Sequence, residues 1–346
     1  MSPQGQIPES AFTFLSHGAS IQEFNVAGQN IVLGFPEAQI YKSHNAPYFG
    51  ETIGRTTNRI KDAQIHDLNG KTYDLYANDG PNCLHGGQQG WGKKGWDGRK
   101  KVMRGEKEGM LFTHLSKDGE EGYPGTVEAR VWYTAGKQGE NTVLDVEYEV
   151  EFVGAEGEAV EETVVGVTNH SYFNLNPSAP TIAGTRVTLG TDQYLVLDSN
   201  SIPTGEIKAH PSAAPPNTTF TIGETSPSFD DCMVLSPPSQ ESISIPLDTR
   251  PQPLRHLVTL SHPDTGLHLE IESTEPAFQF YTGEHIDVPE LETSHGKKVP
   301  AKGSRAGIAV EPSRYVDAQR KEWRGQCLLK KGEMWGARSR YKAWKE

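Results

Sequence analysis

Short runs of β-branched and aromatic residues, each closed by a turn cluster, recur almost to the end of the chain and constrain its fold more than any other feature. GMLFTHLS, GTVEARVWYT, NTVLDVEYEVEFV, TVVGVTNHSYF, LRHLVTLSHPD, LHLEIES, AFQFYTG and AGIAVEPSRY are such runs. In VEARVWYT, alternation sets Val127, Ala129 and Val131 on one face and Glu128, Arg130 and Trp132 on the other, the mark of a half-buried antiparallel strand. No longer stretch carries a capped 3.6-residue periodicity, so helices should be few and short. The 36 Gly and 23 Pro supply the turns that many strands require. The expected fold is all-β, a large antiparallel β-sandwich.

At 346 residues the chain exceeds the usual span of about 100–200 residues per domain, yet large β folds reach this length as one unit. PSAAPPN (211–217) and SPPSQ (236–240) are the only linker-like segments; strand-like runs flank both without a change in composition, so both read as loops. The expectation is one domain over residues 1–346. A formal charge of −12 argues against nucleic acid as partner, because phosphate neutralisation needs clustered Lys and Arg. The locally basic KKGWDGRKKVMRGEK (93–107) reads as a solvated loop and edge strand. Cys83, Cys232 and Cys327 are odd in number and widely spaced, which suits reduced thiols rather than zinc or disulfides. The start of the chain has no basic region followed by an apolar one, and no apolar run approaches ~18 residues. A cytoplasmic protein with no membrane segment is expected.

Five patches hold groups able to do chemistry. PYFGETIGRTTNRI (47–60) offers Arg55 and Arg59, permanent donors that do not transfer protons; alone they read as structural ion pairs. NDGPNCLHGGQQGW (78–91) places His85 before two glycines that permit positive φ and close ligand approach. VTNHSYFNL (167–175) would put His170 with Thr168 and Tyr172 on one polar strand face, where hydrogen bonds can fix its tautomer. In SFDDCMVL (228–235), Asp230 and Asp231 should point to opposite faces. In GIAVEPSRYVDA (307–318), Glu311 precedes Pro312, which should end strand pairing and leave the carboxylate at the sheet rim with a raised pKa. There is no HExxH metal spacing and no GxSxG elbow.

Taken in order, these patches together with GYPGTVEARVWYT, DQYLVLDSNSIPTGEI and FQFYTGE resemble the aldose 1-epimerase (galactose mutarotase) family from roughly Phe12 to Trp344. The closing KKGEMWGARSRYKAW is similar to that family's last strand pair. The resemblance implies a galactose mutarotase-like supersandwich that interconverts the α and β anomers of free hexoses such as glucose and galactose. It implies Glu311 as general base on the anomeric hydroxyl, His170 as general acid on the ring oxygen and His85 as a second histidine at the reacting end. Asn58, Arg59, Asp230 and Gln279 would hold hydroxyl groups. Such chemistry needs no cofactor and no metal, only an acid and a base on different oxygens of one hemiacetal. The implied partner is a small sugar, with the chain a monomer or weak dimer. Departures at Glu51, Thr56, Thr57 and Val316 border the cleft and leave the preferred sugar open. The competing expectations are a relative acting on another hemiacetal or a hexose 6-phosphate, and a sugar-binding protein without catalysis.

Overall fold

A computed structural model describes residues 11–154, 159–235 and 245–346. The SPPSQ segment and the first ten residues lie outside the described residues. The strand-like runs above are strands except TVVGVTNHSYF, which is broken into the short strands Glu162–Val164, Thr168–Asn169 and Tyr172–Phe173, and among the described residues the one α-helix is Ala38–His44.

Nine strands form one antiparallel sheet in the order Thr219–Thr221, Arg186–Leu189, Arg255–His262, Leu267–Ser273, Met334–Lys345, Asn141–Phe152, Val127–Gln138, Lys107–Ser116 and Asp97–Arg104. Alternation decides which side of it is dry: Val127, Ala129 and Val131 are buried, while Glu128, Arg130 and Trp132 are only half-buried. The polar side is laced by ion pairs such as Arg130 with Glu151 at 3.0 Å and Arg340 with Asp145 at 2.6 Å. The basic segment does supply the edge strand, Asp97–Arg104, where charged side chains discourage pairing with another chain. Its first lysine, however, is half-buried: Lys93 meets the buried carboxylate of Glu51 at 2.9 Å. The C-terminal segment is also not a strand pair. Met334–Lys345 runs through the middle of the large sheet, whereas Leu328–Lys330 pairs with Glu162–Val164.

Six strands form the second sheet, in the order Tyr172–Phe173, Ile308–Ser313, Ala277–Tyr281, Asp230–Val234, Gln193–Leu197 and Pro203–Ala209. Phe278, Phe280, Ile308, Val310 and Met233 point from it into the same core as Val127, Leu144 and Leu269 of the large sheet. The architecture is therefore a large antiparallel β-sandwich. The alternate residues of the small sheet, among them Gln279 and Glu311, must face the other way. That outer face carries the polar groups considered next.

Candidate active site

Sheet register assembles half of the site. Gln279 lies directly across from Glu311 on the neighbouring strand, and Asp230 lies across from Tyr281, one diagonal step from Gln279. Residues opposite or diagonal on one face are within side-chain reach. Accordingly, Gln279 Nε2 donates to Asp230 Oδ1 at 2.7 Å. Asp231 points the other way and meets His210 Nε2 at 3.1 Å, so the two carboxylates separate as strand geometry demands.

Glu311 is not at a rim. Pairing continues past it through Pro312 and Ser313 to the strand Ala277–Tyr281, and the residue is 3% exposed. The proline is tolerated because the ladder to Tyr172–Phe173 has already ended at Ala309, leaving a strand neighbour on one side only. Desolvation, with the Asp230 charge adding to it, raises the Glu311 pKa well above the ordinary carboxyl range.

His170 occupies a break rather than one face of a strand. Thr168–Asn169 pairs with Thr52–Ile53, and Tyr172–Phe173 pairs with Ala309 and Ile308, so the chain changes partner across His170–Ser171. Its backbone is tied on both sides, by His170 N–H to Glu51 O at 2.8 Å and by Gly50 N–H to His170 O at 3.0 Å. Side chains on both of the predicted faces are buried, so the polar face read from alternation does not exist. Nε2 of His170 lies 3.4 Å from Oε1 of Glu311. Burial lowers the imidazole pKa to about 3.

The loops of the first third of the chain close over this pair. His85 packs edge-on against His170 with ring centroids 5.1 Å apart, and burial holds its pKa well below the ordinary value. The Asn58 N–H donates to His85 Nδ1 at 3.3 Å, which leaves the ring proton on Nε2 as a donor. Asn58 Nδ2 donates to Gln279 Oε1 at 3.2 Å, linking the loop to the sheet. Arg59 Nε donates to Asp79 Oδ2 at 2.6 Å, and its charge acts on both His85 and Glu311.

Arg55 is not part of this arrangement. Its guanidinium is buried and donates to Pro124 O at 2.7 Å, Gly125 O at 2.8 Å and Ser116 Oγ at 2.6 Å, fastening distant loops together. The first glycine after His85 also serves packing rather than ligand approach. Gly86 has φ +81°, and a Cβ there would stand 2.1 Å from Gly54 O. Tyr48, which sequence reasoning missed, packs its ring against both histidines at 4.9 and 5.6 Å. Its left-handed φ of +64° has no sequence signature in an aromatic residue.

Among the described residues, His85, His170 and Glu311 also form the one group of potential metal ligands, their donor atoms all within 4.8 Å of one another. The Asn58 N–H on Nδ1 sets His85 up as a donor at Nε2, which does not favour ligation there. A neutral imidazole beside a protonable carboxyl, with a second imidazole and four hydrogen-bonding side chains around them, can instead move protons between two oxygens of a polyhydroxylated ligand. No helix of the described residues is long and apolar enough to cross a membrane.

Comparison with known proteins agrees with this chemistry. The family described as aldose 1-epimerase matches residues 7–342. The chain is 35% identical over 335 residues to the bifunctional protein gal10 of Schizosaccharomyces pombe, covering 94% of this chain but only 43% of that protein. It thus spans less than half the length of the bifunctional relatives it matches. Against galactose mutarotase of Sus scrofa it is 34% identical over 310 residues, covering 88% of this chain and 81% of that one. Among solved structures, a GalM/aldose epimerase homologue from C. elegans superposes with a TM-score of 0.77 at 22% identity, covering 96% of this chain and 95% of that one. Galactose 1-epimerase from Lactobacillus acidophilus gives 0.74 at 21% identity, covering 98% and 93%. These two show a shared fold. With a family match across nearly its whole length, this chain belongs to the aldose 1-epimerase family.

Proposed function

We propose that this protein is a mutarotase, an isomerase that interconverts the α and β anomers of free hexoses, galactose and glucose among them. The observation that carries the reading is the buried His170–Glu311 pair, 3.4 Å apart, flanked by a sheet face of hydroxyl-binding groups. The pair's one proton, which burial favours on Glu311, must first pass to His170; Glu311 as carboxylate then takes the proton from the anomeric O1–H while protonated His170 gives one to the ring oxygen O5. The C1–O5 bond breaks as C1=O1 forms, and the aldehyde end turns about C1–C2. Reclosure on the other face returns both protons, so one proton shuttles within the pair and nothing is consumed. The Nε2–H of His85 stabilises charge on the reacting oxygens. Asn58, Arg59, Gln279 and Asp230 hold the remaining hydroxyls.

A hexose 6-phosphate would want cations free to converge on the cleft. Arg59 is committed to Asp79, and Lys93 to Glu51. A cytoplasmic location is supported by three buried free cysteines, which suit a reducing compartment. The test is polarimetry or NMR of freshly dissolved α-D-galactose and α-D-glucose. Acceleration over the spontaneous rate is expected; sugar binding without acceleration would reduce the protein to a lectin-like role.

A further inference from the structure

Behind the two histidines lies a second polar cluster that does not contact the His170–Glu311 pair through its own charged ends. The Glu51 side chain is 0% exposed, accepts from Asn45 Nδ2 at 2.8 Å and from Lys93 Nζ at 2.9 Å. Lys93 Nζ also donates to Asn45 O at 2.6 Å and stands 4.1 Å from the centre of the Tyr48 ring. That ring also packs against His85 and His170. Tyr48 holds a left-handed backbone that a bulky residue keeps only where its surroundings enforce it.

A buried ion pair is weak evidence for stability, because desolvation offsets much of the attraction. Here the pair has a second effect. It fixes an ammonium on one face of an aromatic ring, a favourable contact in a desolvated place, and the ring abuts both imidazoles. The same Glu51 holds His170 through its backbone oxygen at 2.8 Å, so one residue ties the ring support and the histidine together.

We propose that Lys93, anchored on Glu51, is a positioning residue of the mutarotation site that acts through the Tyr48 ring on His85 and His170. The inference rests on the mutarotase reading. Around the imidazoles the ionisable groups are the cations Lys93 and Arg59, the carboxyls Glu311 and Glu51, and the phenols Tyr48 and Tyr172. The Lys93 charge, with that of Lys42, also acts on His17. Removing the Lys93 charge therefore makes both imidazoles easier to protonate, in addition to freeing the ring.

The test compares Lys93→Met, Tyr48→Leu and the double variant of the full chain. A displaced catalytic group costs up to about 100-fold, so each single variant should lower kcat roughly 10- to 100-fold with little change in KM. The double variant should fall no further than the worse single one, since both changes interrupt one path. In Lys93→Met the acid limb of the kcat profile should move to higher pH, and the ring Cε1–H signals of His85 and His170 should shift in NMR spectra. A Lys93→Met protein that melts earlier but keeps wild-type kcat, pH profile and ring signals overturns the proposal, as do effects that multiply in the double variant. If Lys93→Met does not fold, Tyr48→Leu decides alone, and an unchanged kcat overturns it. Failure of the wild type to accelerate mutarotation strikes the function instead, and the ring signals still report whether Lys93 acts on the histidines.

Discussion

The Nε2 atom of His170 and the Oε1 atom of Glu311 stand 3.4 Å apart with 5% of each side chain exposed, though 141 positions separate them in the sequence. Burial disfavours charge on either, pushing the imidazole down and the carboxyl up. The pair therefore holds one proton between them, the stock that ring opening requires. Glu311→Gln keeps the shape and removes the base; His170→Ala removes the acid. Each should lower the mutarotation rate by about 10²–10⁴-fold, read by polarimetry on protein whose far-UV spectrum matches wild type.

The pH profile follows from the same pair. A second proton is added only near pH 3, where His170 titrates, and the last is lost only well above the ordinary carboxyl range. Activity should then fall on the acid side only towards pH 3 and on the basic side only well above the ordinary carboxyl range. An acid limb centred near the ordinary imidazole value would mean that His170 is solvated during turnover.

Asp230 and Asp231 are adjacent in sequence and point to opposite sides of the sheet. Asp230 accepts from Gln279 on the sheet face that also carries Glu311, whereas Asp231 pairs with His210. Asp230→Asn should raise KM roughly 10- to 100-fold, the value of a hydrogen bond to a charged group. Asp231→Asn should leave KM near wild type, and the reverse pattern in steady-state kinetics would exchange the two assignments.

The two arginines of GRTTNR should separate by type of damage. Arg55→Met strands several buried carbonyl and hydroxyl partners, costing about 2–5 kcal/mol in urea unfolding with KM preserved in the folded protein. Arg59→Met should raise KM and leave stability nearly intact, because its partner Asp79 is itself 37% exposed.

Gly86→Ala places a methyl group where only 2.1 Å separates it from Gly54 O, at a φ of +81°. The strain, about 1–3 kcal/mol, falls on the residue next to His85. Both melting temperature and kcat/KM should drop, measured on one preparation by calorimetry and polarimetry.

The strands were legible because alternation and turn residues are local properties. Val127, Ala129 and Val131 announce their dry face in the sequence and keep it in the fold. Glu311 and His170 show where local reading stops. Pro312 suggests a terminated strand, but whether a proline ends pairing depends on whether a strand still lies on its N–H side, and the ladder to residues 172–173 has already stopped at Ala309. His170 looked like one position of a continuous strand; the break arises because its two flanks pair with segments far apart in sequence, Thr52–Ile53 and Ile308–Ala309. Arg55 and Arg59 are indistinguishable by residue type, and only the tertiary positions of Pro124, Gly125 and Asp79 tell them apart. Tyr48 and Lys93 carried no pattern at all, since their contacts run through a left-handed backbone and a buried carboxylate.

The direct pairing of Gln279 with Glu311, and the diagonal from Gln279 to Asp230, tie the site to the repeat of a β-sheet. Neighbouring strands lie about 4.8 Å apart, so that lattice sets the spacing at which a ligand's oxygens are met. Deleting one residue from any of these three strands would turn its polar group into the core and bring an apolar one to the outer face. Exchanging side chains at fixed positions would instead alter which hydroxyl pattern is accepted, with the backbone serving as an unchanged ruler.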